Sequence, residues 1–215
     1  MNHPTQVGGI GTRVIPISEF AGLQSNVYTM PGDISVAAKP LSSPLPDGWK
    51  HRKRRIVVDK SERILTVYSG TKRVKSYFIA LGSRPVGPKT RRDDGKTPEG
   101  TYYICSRNPK SKFELSVLVS YPSSKDADAG RANGLIDEET HAKVTLAQKL
   151  GITPPQDTAL GSHICIHGGG IGVIADDMSK AQIIDWTQGC MAMRSEDIRE
   201  IYDFAEPGTS IEIRP

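Results

Sequence analysis

The chain has 215 residues, 37% of them hydrophobic and 24% charged, which suits one soluble globular domain with a core of its own and a tail. No apolar run approaches the roughly 18 residues of a membrane span, so no segment is expected to cross a bilayer. Three cysteines are too few for a disulfide framework, and the net charge of +4 hides 17 Lys/Arg against 5 Asp/Glu over residues 51–112 and 8 against 16 over residues 113–215. The basic half lacks the interleaved aromatics of a nucleic-acid surface, so nucleic acid is not an expected partner.

In chain order, residues 1–50 are rich in Gly, Pro and Ser and end in KPLSSPLPDGW, which reads as a linker or a wrapping arm before a domain over residues 51–215. The first residues lack a basic start followed by an apolar stretch, so an export signal is expected to be missing from this chain. From Arg55 the runs RIVVDK, ILTVYSG and KRVKSYFIALG predict a β-meander, with a turn at Ser69-Gly70. A loop dense in Pro, Gly and charge, SRPVGPKTRRDDGKTPEG, precedes a strand at TYYICS, and loops of that length are often functional. KFELSVLVSYP predicts another strand, and DEETHAKVTLAQKLG a helix with an acidic first turn and a stop at Gly151. LGSHICIHGGG predicts a strand breaking into glycines, followed by a polar stretch as far as TQGC. Ile198, Ile201, Tyr202 and Ala205 share one helical face, and Pro207-Gly208 turns the chain into a last strand, TSIEIRP.

Cysteine chemistry needs a thiolate, a group to take its proton, and donors for the oxyanion of a tetrahedral intermediate. Cys190 after Gly189 is a candidate nucleophile, and the consecutive N–H groups of Gln188, Gly189 and Cys190 are a candidate anion nest. His167 ends its predicted strand beside three glycines, 23 positions from Cys190, so only the fold can join the two. A small buried cysteine and a structurally bonded histidine are the plainer readings, and composition alone leaves both open. His163, Cys165 and His167 alternate, but ligands at those positions spread over about 13 Å of strand, too far for one Zn²⁺, so no metal is expected. Asp93, Asp94 and Glu99 read as solvated turn residues and His141 as a surface residue.

Ile166-His167-Gly168 followed by Thr187-Gln188-Gly189-Cys190, with Lys96-Thr97-Pro98-Glu99-Gly100-Thr101-Tyr102 upstream, resembles the ordered motifs of the L,D-transpeptidase (YkuD-type) catalytic domain family over about residues 51–213. DGKTPEGTYYI, NPKSKFELSVLVSYP and GCMAM are closest in wording to its YafK-like branch. The resemblance implies an α+β, β-rich fold: a sandwich or incomplete barrel of antiparallel and mixed strands with one long helix and a short C-terminal helix. It implies Cys190 as nucleophile, His167 as base and the Gly168 carbonyl as third member, with no cofactor. The implied partners are donor and acceptor peptidoglycan stem peptides, acted on in the periplasm to form cross-links. Hydrolysis of a stem bond, or of a bond holding a protein to a stem, is the alternative for the same site. Ala192 stands where the family frequently has an arginine, so Arg194 or the basic loop Lys89 to Lys96 is expected to supply the missing charge. Tyr121 and Trp186 are candidate walls of a substrate cleft.

Overall fold

The computed structural model describes residues 12–16, 53–177 and 180–215. An eight-stranded mixed sheet organises the domain. Its strands are β2 (Arg54–Asp59), β3 (Ile64–Ser69), β4 (Lys72–Phe78), β5 (Gly100–Ser111), β6 (Glu114–Val119), β7 (Cys165–His167), β10 (Met191–Ala192) and β11 (Ser210–Arg214). The spatial order is β10-β7-β6-β5-β11-β2-β3-β4. β11 lies parallel to β2 and antiparallel to β5, while β10 lies parallel to β7.

The meander forms as its sequence predicts: β3 and β4 join through a two-residue turn in which Gly70 adopts φ 63°, a conformation costly for other residues. The sheet curls because its two ends meet. Ala80, just past β4, exchanges two backbone hydrogen bonds with Ala192 of β10 (2.9 and 2.8 Å), and Thr187 N–H donates to Leu81 carbonyl (3.1 Å). The result is a nearly closed barrel.

Ile56, Val58, Leu65, Val67, Ile104, Val117, Val119, Ile166, Ile211 and Ile213 fill its interior at 0–2% exposure. Each such side chain contributes about 1.5–3 kcal/mol as an upper estimate. Helix α3 (Ser195–Phe204) covers β6 with Ile198, Ile201 and Phe204, all fully buried, while Tyr202 is only partly buried and stacks under Arg107.

Two helices lie outside the barrel. α2 (Glu138–Leu150) begins where Asp137 Oδ1 accepts from Thr140 N–H (2.8 Å) and ends at Gly151 in the left-handed region (φ 68°). Its apolar face is thin, burying only Val144 and Ala147. Docking therefore relies on polar contacts: Gln148 donates to the Ser120 and Pro122 carbonyls (2.6 and 2.8 Å). α1 (Ser124–Ala132) carries no apolar stripe to betray it and is held at its start by a reciprocal capping box between Ser123 and Asp126. His141 on α2 reaches Asp128 on α1 (2.6 Å), which ties the two helices together.

The polar stretch expected before TQGC instead forms a hairpin, β8 (Gly172–Asp177) and β9 (Lys180–Ile184), and β1 (Thr12–Pro16) adds antiparallel to β9. Acidic residues at the hairpin end, Asp176-Asp177, mask its β-pattern in the sequence. The arm predicted over residues 1–50 otherwise lies outside the described residues.

Candidate functional site

The site lies where β7 and β10 run side by side. Cys165 and His167 are two apart on β7 and share a face. The parallel register Met191↔Ile166 and Ala192↔His167, continued back one residue, sets Cys190 opposite Cys165 on that same face. The nucleophile candidate thus stands one pleat from the imidazole.

Cys190 Sγ donates to the His163 carbonyl (3.4 Å) and accepts from the Cys165 N–H (3.4 Å). His163 holds that carbonyl from a left-handed backbone (φ 53°), with its own N–H on Gln156 (2.7 Å). A hydrogen bond from the Cys165 thiol, and then the neighbouring His167, hold the Cys190 thiol well below the ordinary range against the opposing effect of burial. The Cys165 thiol is driven up by its hydrogen bond to Cys190 and by burial.

His167 is buried, and its orientation is fixed. Nδ1 donates to the Gly168 carbonyl (2.6 Å), so the neutral ring carries its lone pair on Nε2. Phe113, from the β5–β6 turn, stacks on the imidazole at 4.2 Å and 17°, and Trp186 meets it edge-on at 5.8 Å. Trp186 also meets Phe113 edge-on and donates to Gly170 carbonyl (3.3 Å) while remaining 38% exposed.

Glycines make this packing possible. A Cβ on Gly168 would lie 2.5 Å from the Phe113 carbonyl, and one on Gly169 would meet the Phe113 ring at 2.9 Å. Phe113 is the site residue the sequence reading misses. The three consecutive glycines, Gly168 to Gly170, were its available signal, since they leave room for a neighbouring chain.

The long loop reaches the site through backbone packing. Gly189 has φ 125°, and a Cβ there would lie 2.5 Å from the Lys96 carbonyl. A Cβ on Gly82 would run into the Gly95 carbonyl and crowd the Gly189 Cα (3.1 Å), and the Gly82 N–H donates to Thr97 Oγ1 (3.0 Å). Thr187 Oγ1 donates to the Cys190 carbonyl (2.7 Å) and accepts from Gly189 N–H (3.1 Å). Of the three nest donors expected, that of Gly189 is therefore already engaged, leaving those of Gln188 and Cys190 as candidates.

Buried ions hold the loop in place. Lys60 donates to the Gly87 and Thr97 carbonyls (2.7 and 3.0 Å) and pairs with Glu99 (2.7 Å). Asp94 is not the solvated turn residue expected: it accepts from Lys89 (2.7 Å) and from the N–H groups of Thr90, Arg91 and Lys96 (2.8–3.1 Å). Burial alone would raise its carboxyl, but these donors hold it below the usual carboxylate range.

Two of the charges expected to replace the family's arginine are engaged with internal carboxylates. Lys89 is buried on Asp94, and Arg194 is buried with Nε on Asp197 (2.7 Å). Arg194 still borders a cavity of about 460 Å³, lined also by Lys112, Phe113, Gly169 and Gly170. Ala192 is fully buried among Phe78, Ala80, Ile171 and Ile183, where a guanidinium would be surrounded by apolar side chains. Tyr121 requires a correction. It is fully buried in the main core with its hydroxyl on Leu160 carbonyl (2.8 Å), and it does not line the cavity beside Phe113. Among the described residues no group of three or more His, Cys, Asp or Glu could hold a metal ion.

A curled mixed sheet with a cysteine leading into its terminal strand and a carbonyl-anchored histidine on the neighbouring strand defines a class. Residues 53–213 match the L,D-transpeptidase catalytic domain family, YkuD, and the chain belongs to that family. Among similar proteins is YafK of Escherichia coli (strain K12), 25% identical over 217 residues that cover 94% of this chain and 67% of that protein. Bd1075 of Bdellovibrio bacteriovorus is 24% identical with TM-score 0.46, over 76% of this chain and 48% of the other. Pgp2 of Campylobacter jejuni, a helical cell shape determining protein, is 19% identical with TM-score 0.49, over 75% and 47%. The chain thus spans about half the length of these two solved structures. No helix among the described residues is long and apolar enough to cross a membrane.

Proposed function

We propose that the protein is a peptidoglycan L,D-transpeptidase that cross-links stem peptides through a thioester on Cys190. The observation that carries this reading is the pairing of a thiol held below its ordinary pKa with an imidazole whose Nδ1 is anchored on Gly168 carbonyl. The Cys190 thiolate attacks the carbonyl between the L-centre and the D-centre of a donor stem. The Gln188 and Cys190 N–H groups receive the resulting oxyanion. His167, having taken the thiol proton, returns it to the leaving amine of the D-residue, and the thioester remains. An acceptor amine from a neighbouring stem then gives up a proton to His167, attacks the thioester carbonyl and releases Cys190. The cavity bordered by Phe113, Gly169 and Gly170 is the path proposed for the donor, with Trp186 edge-on to the imidazole. Because stems lie outside the cytoplasmic membrane, the enzyme works in the periplasm.

Hydrolysis is the second reading, favoured by one observation: Arg194 and Lys89 are both engaged with internal carboxylates, and Ala192 is buried. Water in place of the acceptor amine would trim a stem or free a protein attached to one. Purified muropeptides, incubated with and without an acceptor stem and analysed by mass, separate the two. Cross-linked dimers support the transferase; shortened monomers alone, with acceptor present, would assign the hydrolase.

A further inference from the structure

In the peptide chemistry Cys165 forms no covalent bond and acts only on the ionisation of Cys190, although its placement is specific. Register puts it opposite Cys190 on the neighbouring parallel strand, both side chains share a face, and the Cys165 N–H touches Cys190 Sγ (3.4 Å). Adjacent strands are about 4.8 Å apart, inside the range of about 4.4–6.8 Å between Cα atoms that a disulfide spans. All three cysteines are free thiols, and both members of this pair are partly accessible.

We infer that Cys165 and Cys190 form an oxidative modification site, in which a hydroperoxide oxidises Cys190 and Cys165 resolves the product as a reversible disulfide that blocks the nucleophile. The Cys190 thiolate sulfur attacks one peroxide oxygen, the O–O bond breaks, and water or an alcohol leaves. Cys190 becomes a sulfenic acid, a two-electron oxidation matched by reduction of the peroxide. Cys165 then loses its proton, its sulfur attacks Cys190 Sγ, and the S–O bond breaks with release of water. A dithiol restores both thiols as it closes its own disulfide. The two thiols differ in the required sense: the Cys190 pKa is held down by its neighbours and the Cys165 pKa is pushed up by the hydrogen bond to Cys190 and by burial, so Cys190 is the more readily ionised of the two. This inference requires a reactive Cys190 thiolate but no particular peptide substrate.

Trypsin separates the three cysteines, because Lys96, Arg107, Lys149, Lys180 and Arg194 place Cys105 in residues 97–107, Cys165 in 150–180 and Cys190 in 181–194. The folded protein is treated with hydrogen peroxide, its remaining thiols are blocked with iodoacetamide, and the peptides are mapped by mass. The expected product is 150–180 joined to 181–194 with loss of two hydrogens. Alkylation of Cys190 should be lost and should return after dithiothreitol, while Cys105 stays alkylatable. Cys165→Ser should instead carry Cys190 on to the sulfinic acid, which dithiothreitol does not reverse. Wild-type protein that accumulates sulfinic Cys190 while Cys165 remains free would overturn the inference, and that result needs no variant to fold.

Discussion

At Cys190 the decisive quantity is how readily the thiolate forms. The Cys165 thiol and His167 both favour the thiolate, so alkylation by iodoacetamide should rise with pH through a midpoint well below the ordinary thiol value of about 8.5. Removing a group that stabilises the anion raises the pKa. Cys165→Ala and His167→Ala should therefore each move the midpoint upward, and an unmoved midpoint in both would contradict the assigned cause. Phe113 acts on the other partner: its stack on His167 is worth about 0.5–1.5 kcal/mol, so Phe113→Ala should cost up to about tenfold in kcat/KM. Full activity in that variant would remove Phe113 from the site. Cys190 and His167 were legible because each sits in a short motif with distinctive neighbours. Phe113 was not, because its contact with His167 spans 54 positions of sequence and is made through a turn rather than a motif.

Among the elements, the loop between β4 and β5 matters most, because its Lys96 carbonyl packs against Gly189. Any side chain at Gly189 meets that carbonyl and also strains a φ of 125°. Gly189→Ala should displace Cys190 and reduce kcat by about 10²-fold or more; activity close to wild type would show that the TQGC turn tolerates a different path. The loop also has an acid limit. Asp94 has a lowered pKa in the fold, so its contribution is present above the unfolded value of about 4 and is lost as pH falls through the lower folded value. Asp94→Asn leaves Lys89 buried without its counter-ion and should cost about 3 kcal/mol, read as a shift in the denaturant midpoint, with a flatter acid limb. The sequence marked this segment as a long charged loop, but residue type does not reveal which charges turn inward. That depends on Lys60 and Lys89 meeting carboxylates only after the chain has folded back. The β8–β9 hairpin and α1 were missed for the same reason: short elements take their stability from tertiary partners more than from their own periodicity.

At the scale of the whole molecule, one feature links stability to chemistry: the Ala80–Ala192 bridge closes the curled sheet two residues beyond Cys190. Ala192→Arg would restore the residue type frequent in the family but would bury an unpaired charge among Phe78, Ala80, Ile171 and Ile183. A drop in Tm of about 10 °C is expected, and an unchanged Tm would show that this edge opens to admit the side chain. The β-rich architecture was readable from alternating apolar runs, whereas closure was not, since it joins two alanines 112 positions apart that no pattern distinguishes. All of these features bear on whether a stem peptide becomes covalently attached to Cys190. The direct measurement is mass analysis of the protein after brief exposure to a donor stem without acceptor, followed by mapping of residues 181–194. The predicted result is a hydroxylamine-labile adduct of the stem, lacking its terminal D-residue, on Cys190 and absent from Cys190→Ala. Turnover retained by Cys190→Ala, or an adduct on another residue, would contradict the account.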